Sequence, residues 1–116
     1  MPTLGTFEYD NLFAGDAQIV REAVTVKSGE NLKRGTVIAK VSGEVVAVNS
    51  GAVEGTTPYG ILADDVNATE ASIPAVAYLT GEFNEAALSF GGEDTADSHR
   101  AKLREIGIFL KNNQGI

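Results

Sequence analysis

A chain of 116 residues, 43% apolar and 22% charged, has room for one modest hydrophobic core and little for a second domain. Its lack of cysteine excludes a disulfide scaffold, thiol catalysis and a cysteine-ligated metal. The net charge is −7, and residues 41–99 carry ten acids and no Lys or Arg, which argues against direct contact with nucleic acid, since that needs a concentrated basic face.

Residues 1–16 mix Gly, Thr, Asp and Asn with apolar residues at Leu4, Phe7, Tyr9, Leu12 and Phe13. That is too aromatic for a plain solvated tail. It predicts a partly flexible arm that docks on something, either the domain itself or a partner. The first residues lack the basic cluster and apolar core of a signal peptide, and no apolar run approaches the ~18 residues of a membrane span. The expectation is a protein made in the cytoplasm, with no membrane partner. Residues 17–116 are expected to form a single β-rich domain.

Within that domain, residues 18–27 (QIVREAVTVK) read as a strand with Val20, Glu22, Val24 and Val26 on one face. Residues 28–31 (SGEN) read as a turn, and Lys33-Arg34-Gly35 as another. Residues 36–41 and 45–48 are strands joined at Ser42-Gly43-Glu44 into a hairpin. A loop over 49–58 leads to a short buried strand over 59–63 and an acidic loop over 64–70.

A strand over 74–80 is expected to turn at Gly81 into a short helix from Asn84 to Ser89, capped by Asn84. Ala77, Leu79, Phe83, Ala87 and Phe90 would tie both elements to one core. Gly91-Gly92 breaks the chain, and Asp94 or Thr95 caps a main helix over 96–106. Its acids lie early, its bases late, and Gly107 suits the position after its end. Ala96, Leu103 and Ile106 would be its buried face. Residues 108–111 form a last strand. The sum is a mostly-β domain: a β-clip-like small barrel or sandwich of short strands, with one or two short helices at its margin.

Chemistry is sparse. His99, the single histidine, sits on the predicted helix and reads as a surface residue. No nucleophile-histidine-acid signature surrounds it. Asp64-Asp65-x-Asn67 lacks the alternating acids, the glycine and the distal glutamate of a calcium loop. Sixteen acids guarantee many carboxylate pairs, so no pair points to a hydrolase. No catalytic residue, metal site or cofactor is expected, and the protein is not expected to be an enzyme. The unit from Val26 to Ala39 also occurs in small β folds such as lipoyl-type carrier domains. Those need a lysine displayed on a tight hairpin, which neither Lys40 nor Lys111 supplies. A clip-like or carrier-like module recognising a glycan or a cellular protein is the alternative reading.

Several segments together resemble the head decoration proteins of lambda-type tailed phages. They are NLFAGD (11–16), VTVKSGENLKRGTVIAK (24–40), YGILADDV (59–66), YLTGEFNEAALSFG (78–91) and LREIGIFLK (103–111). The resemblance implies a structural virion protein, not an enzyme, that binds the outer surface of the expanded capsid as homotrimers at three-fold positions. There it would clamp the major capsid protein against the pressure of packaged DNA. It also implies an N-terminal arm that adds a strand to a capsid sheet. Carried onto this chain, the arm runs from Pro2 to about Asp16, and Leu4, Phe7, Tyr9, Leu12 and Phe13 are its capsid-facing anchors.

Overall fold

The computed structural model describes residues 19–111. Eight strands form the framework: β1 Val20–Val26, β2 Glu30–Leu32, β3 Val37–Val41, β4 Glu44–Ala47, β5 Gly60–Leu62, β6 Val66–Ala68, β7 Ile73–Asn84 and β8 Ile108–Lys111. A 3-10 turn at Glu85–Ala87 and one helix, α1 (Ala96–Glu105), complete the set. The mostly-β expectation holds.

Five strands pair into a ring. β1 pairs with β4, β4 with β3, β3 with β5, β5 with β7, and β7 again with β1. Only the β1–β4 joint is parallel, and it is slight: Val26 opposite Val45, with Lys27 N donating to Val45 O at 3.0 Å. The antiparallel β1–β7 ladder runs from Val26 opposite Ile73 to Val20 opposite Thr80, with an irregularity at Val20/Arg21. A closed ring leaves few free backbone groups along its members. β3 and β4 join through Ser42-Gly43, both at positive φ (52° and 86°), the two-residue turn whose twist suits a hairpin.

The apolar side chains separate into two clusters. The first takes Val24 and Val26 from β1, Val45 from β4, Ile38 from β3, Leu62 from β5 and Ala77 from β7. Because every ring strand contributes, this is the ring's interior. Leu32, Val66 and Ala68 of the β2–β6 pair close one side of it. The second cluster uses the opposite faces of β3 and β5 through Val37, Ala39 and Ile61, and packs them against Phe83, Leu103 and Ile108. β3 and β5 are therefore buried on both faces, which is why VIA and GIL read as continuous apolar runs rather than alternating ones.

Several expectations about the strands need correction. Residues 30–32 and 66–68 are strands, not part of a turn and an acidic loop, because Leu32, Val66 and Ala68 are needed to cover the ring interior. The chain does not turn at Gly81. β7 continues for 12 residues to Asn84, because β8 pairs in parallel with residues 81–84. Asn84 does act as a cap, its side chain accepting from Ala86 N at 3.1 Å, but the element it caps is only a 3-10 turn. Ala77 and Phe83 belong to different clusters rather than one core. The arm residues Leu4, Phe7, Tyr9, Leu12 and Phe13 lie outside the described residues.

Helix α1 has Thr95 at its N-cap, where the backbone N–H donates to Ser98 Oγ at 3.0 Å, with Asp97 in its first turn and Lys102 and Arg104 in its last. Gly107, at φ 97°, ends it in the left-handed region that glycine adopts without penalty. Its buried residues are His99 and Leu103, whereas Ile106 is exposed and Ala96 only half-buried. The expected buried face is thus rotated towards His99.

Candidate functional site

The described structure begins where the N-terminal segment joins the ring, and several elements converge there. Val20 N donates to Thr80 Oγ1 at 3.1 Å, fixing the start of β1 on β7. Gly81 N donates to Gly107 O at 3.1 Å, joining mid-β7 to the exit of α1. Gly81 has φ 145°, and a Cβ there would stand 3.0 Å from the Phe83 ring and 3.5 Å from Ile19. Only glycine fits this crossing without displacing Phe83, the largest fully buried side chain among the described residues.

Beside this junction runs a groove of about 330 Å³, walled by Val20, Pro58, Tyr59, Leu79, Thr80 and Ile106. Ile19, Val20 and Ile106 are among the few large apolar residues left exposed, at 40%, 42% and 37%. Tyr59 is held by two neighbours: its hydroxyl donates to the Glu22 carboxylate, and Lys40 Nζ lies 4.7 Å from its ring centre. The bond to Glu22 and partial burial raise the phenol above its usual range.

A second groove, about 640 Å³, lies between α1 and β8, with Arg100, Arg104, Phe109 and Leu110 in its walls. Arg100, Arg104 and Lys111 line this groove, and Arg100, Lys102 and Lys111 each have an acidic partner. Arg100 bonds Glu85 at 2.8 Å and Asp97 at 2.7 Å, which raises its pKa further. Lys111 lies 3.8 Å from Glu82, Lys102 lies 3.4 Å from Glu105, and Arg104 stacks over Phe109 at 5.7 Å. Charges used this way form no single-sign face for a polyanion.

His99 is not a surface residue. It is 4% exposed, its ring stacks on Phe90 at 5.8 Å, and its Nε2 donates to Asp94 Oδ2 at 2.6 Å. Ser50 completes the cluster: its Oγ donates to Asp94 Oδ1 and its backbone N–H to Oδ2, both at 2.7 Å. These bonds, Ser50 first and His99 next, hold the Asp94 carboxyl at about 2. Both partners donate to the one carboxylate, so no base takes the Ser50 proton and the trio does not activate a nucleophile. It fastens the loop after β4 to the start of α1. The Asp94–His99 spacing was present in the sequence, but Ser50 lies 44 residues from Asp94 and no local pattern connects them.

The tip of the β3–β4 hairpin is Ser42-Gly43, with no lysine to carry a swinging group. Among the described residues, no group of three or more His, Asp or Glu could hold a metal ion. No helix there is long and apolar enough to cross a membrane.

A closed ring, a loop fastened to a helix, and an apolar groove at the start of β1 define a small β domain with one helix at its margin. The family model of the bacteriophage lambda head decoration protein D matches residues 2–108. The chain belongs to this family, and is therefore a structural protein of the phage capsid and not an enzyme. No curated protein matches the chain in a sequence search.

Proposed function

We propose that the protein binds the outer surface of the expanded phage head as homotrimers at three-fold positions and holds neighbouring major capsid proteins together against the pressure of packaged DNA. The observation that carries this reading is the family match over residues 2–108, which spans the N-terminal segment as well as the ring. The contact with the shell is made by the arm from Pro2 to Asp16, with Leu4, Phe7, Tyr9, Leu12 and Phe13 as its apolar anchors. An arm of this kind gains affinity by adding its backbone to a capsid strand, and specificity from alternate side chains. Ordering it costs conformational entropy, so each contact is weak. A trimer that engages a repetitive lattice through several arms offsets that by multivalency. The protein is made in the host cytoplasm and joins the head after expansion.

The test is to mix purified protein with expanded, undecorated capsids and follow co-sedimentation and the temperature of capsid rupture. Binding with a raised rupture temperature is the expected outcome. Deleting residues 2–16 should leave the circular dichroism and cooperative melting of a folded domain and abolish co-sedimentation. Full binding by the truncated protein would remove the arm from the mechanism.

A further inference from the structure

We infer that the free edge of β8, with the groove beside it, takes up an extended acidic segment of a partner protein as an added strand. β8 is the last strand of its sheet, and among the described residues only β7 pairs with it. The pairing is parallel, and Gly81 N donates to Gly107 O. Successive residues of a strand point their N–H and C=O groups to opposite sides. Phe109 and Lys111 therefore face β7, and Ile108 and Leu110 turn their N–H and C=O groups away from it. Exposed edges are ordinarily covered or blunted by charge. No described strand covers this one. It opens instead onto the groove of about 640 Å³ whose other wall is α1, through Arg100, Ala101 and Arg104. A free edge that lines a groove suits an extended peptide, whose main chain continues the ladder while alternate side chains enter the groove.

The charge of the segment follows from Arg104. Arg100 is bound to Glu85 and Asp97, and Lys111 lies beside Glu82, so these bases and the acids of the groove offset one another. Arg104 has no acidic partner among the described residues. It is exposed, and its guanidinium lies over the ring of Phe109, which orients its donors before anything binds. Phe109 is itself 37% exposed. An added strand with a carboxylate at one position and an apolar side chain two residues away would offer both on one face, the first to Arg104 and the second to Phe109. A second copy of this chain fits poorly. Two β8 edges laid antiparallel would set Arg104 and Lys111 near their own counterparts, and like charges opposed across a ladder are destabilising. With the capsid-binding reading, on which only this last step rests, the partner is a shell protein, and the contact adds to that of the N-terminal arm.

The probe is the peptide acetyl-VTETVT-amide, made of strand-favouring residues with its glutamate two places from a valine. It is titrated to millimolar concentration into the full chain and followed by amide chemical shifts. Ile108 and Leu110 should move most. Lysine in place of the glutamate should weaken binding by about two- to fivefold, and R104E should reverse the preference. Arg104 is exposed, so that substitution leaves the core untouched. N-methylation of alternate residues removes the main-chain donors of one peptide edge at a time, and one of the two alternate sets should abolish the shifts. Equal binding by the parent and both N-methylated peptides would overturn strand addition, as would no movement in β8 with any peptide. Shifts of Ile108 and Leu110 that depend on protein concentration without peptide would give the edge to a second copy instead. Co-sedimentation of R104E with expanded, undecorated capsids is scored separately, and weaker binding than the parent is expected. Equal binding would remove the shell as the source of the segment and leave the peptide result standing, whereas failure of the parent to bind counts against the capsid reading alone.

Discussion

Asp94 shows how one side chain can organise a surface. Its two oxygens receive both donors of Ser50 and the Nε2–H of His99, so the charged form is favoured and its pKa is lowered to about 2. A depressed carboxyl contributes stability that is fully present above the unfolded pKa, near 3.8, and is lost as pH falls through the folded value. Asp94→Asn should therefore melt at a lower temperature than the parent at pH 7, and the two should converge as pH approaches 2. Thermal melts at intervals between pH 7 and pH 2 check this, and a gap that stays constant over the range would mean the carboxylate charge is not what matters. Sequence could place His99 on a helix but could not show it buried, because burial depends on Ser50 and Phe90 arriving from other parts of the chain.

At the scale of elements, the helix is attached chiefly through Leu103, fully buried among Val37, Phe83 and Ile108. Leu103→Ala should cost about 2–5 kcal/mol, the usual range for a buried leucine truncated to leave a cavity. Urea unfolding measures this directly; a loss well below 1 kcal/mol would mean that α1 is held by its ion pairs instead. The strands legible in sequence were those with apolar runs or alternation, such as Val37–Val41 and Val20–Val26. β2 and β6 were not legible. Each is only three residues long, with acids and asparagines around it, and each exists because the other pairs with it across the mouth of the ring, Glu30 opposite Ala68 and Leu32 opposite Val66. Gly81 misled for a related reason. A glycine within a strand pattern marks either a turn or a close approach, and here it is an approach, to Gly107 and Phe83. The groove was equally hidden, since its walls come from β1, the stretch before β5, β7 and the end of α1.

For the whole molecule, the ring sets the rate at which the protein can fold. Its longest ladder pairs residues 20–26 with residues 73–80, and most contacts join residues distant in sequence. Topologies dominated by non-local pairing fold in milliseconds to seconds, slower than helical bundles of equal size. Stopped-flow refolding should give a time constant in that range, and microsecond refolding would be inconsistent with the ring as the last thing to form. At this scale the family match covers the whole ring, in which β3 and β5 are buried by a core on each face.

The same ladder imposes an order on synthesis. A ring closed by its first and seventh strands cannot exist until both have been translated, and Ile106, the last wall of the groove, is made some ninety residues after Phe13. At about 5–20 residues per second, that leaves an interval of roughly 5–20 seconds in which the aromatic residues near the N-terminus have been made but the ring and its groove have not. The acids Glu8, Asp10 and Asp16 are interleaved with those aromatics, and residues 1–18 carry no Lys or Arg. On nascent chains crowded along one message, like charges beside each sticky residue would keep neighbouring segments apart while the ring is still incomplete.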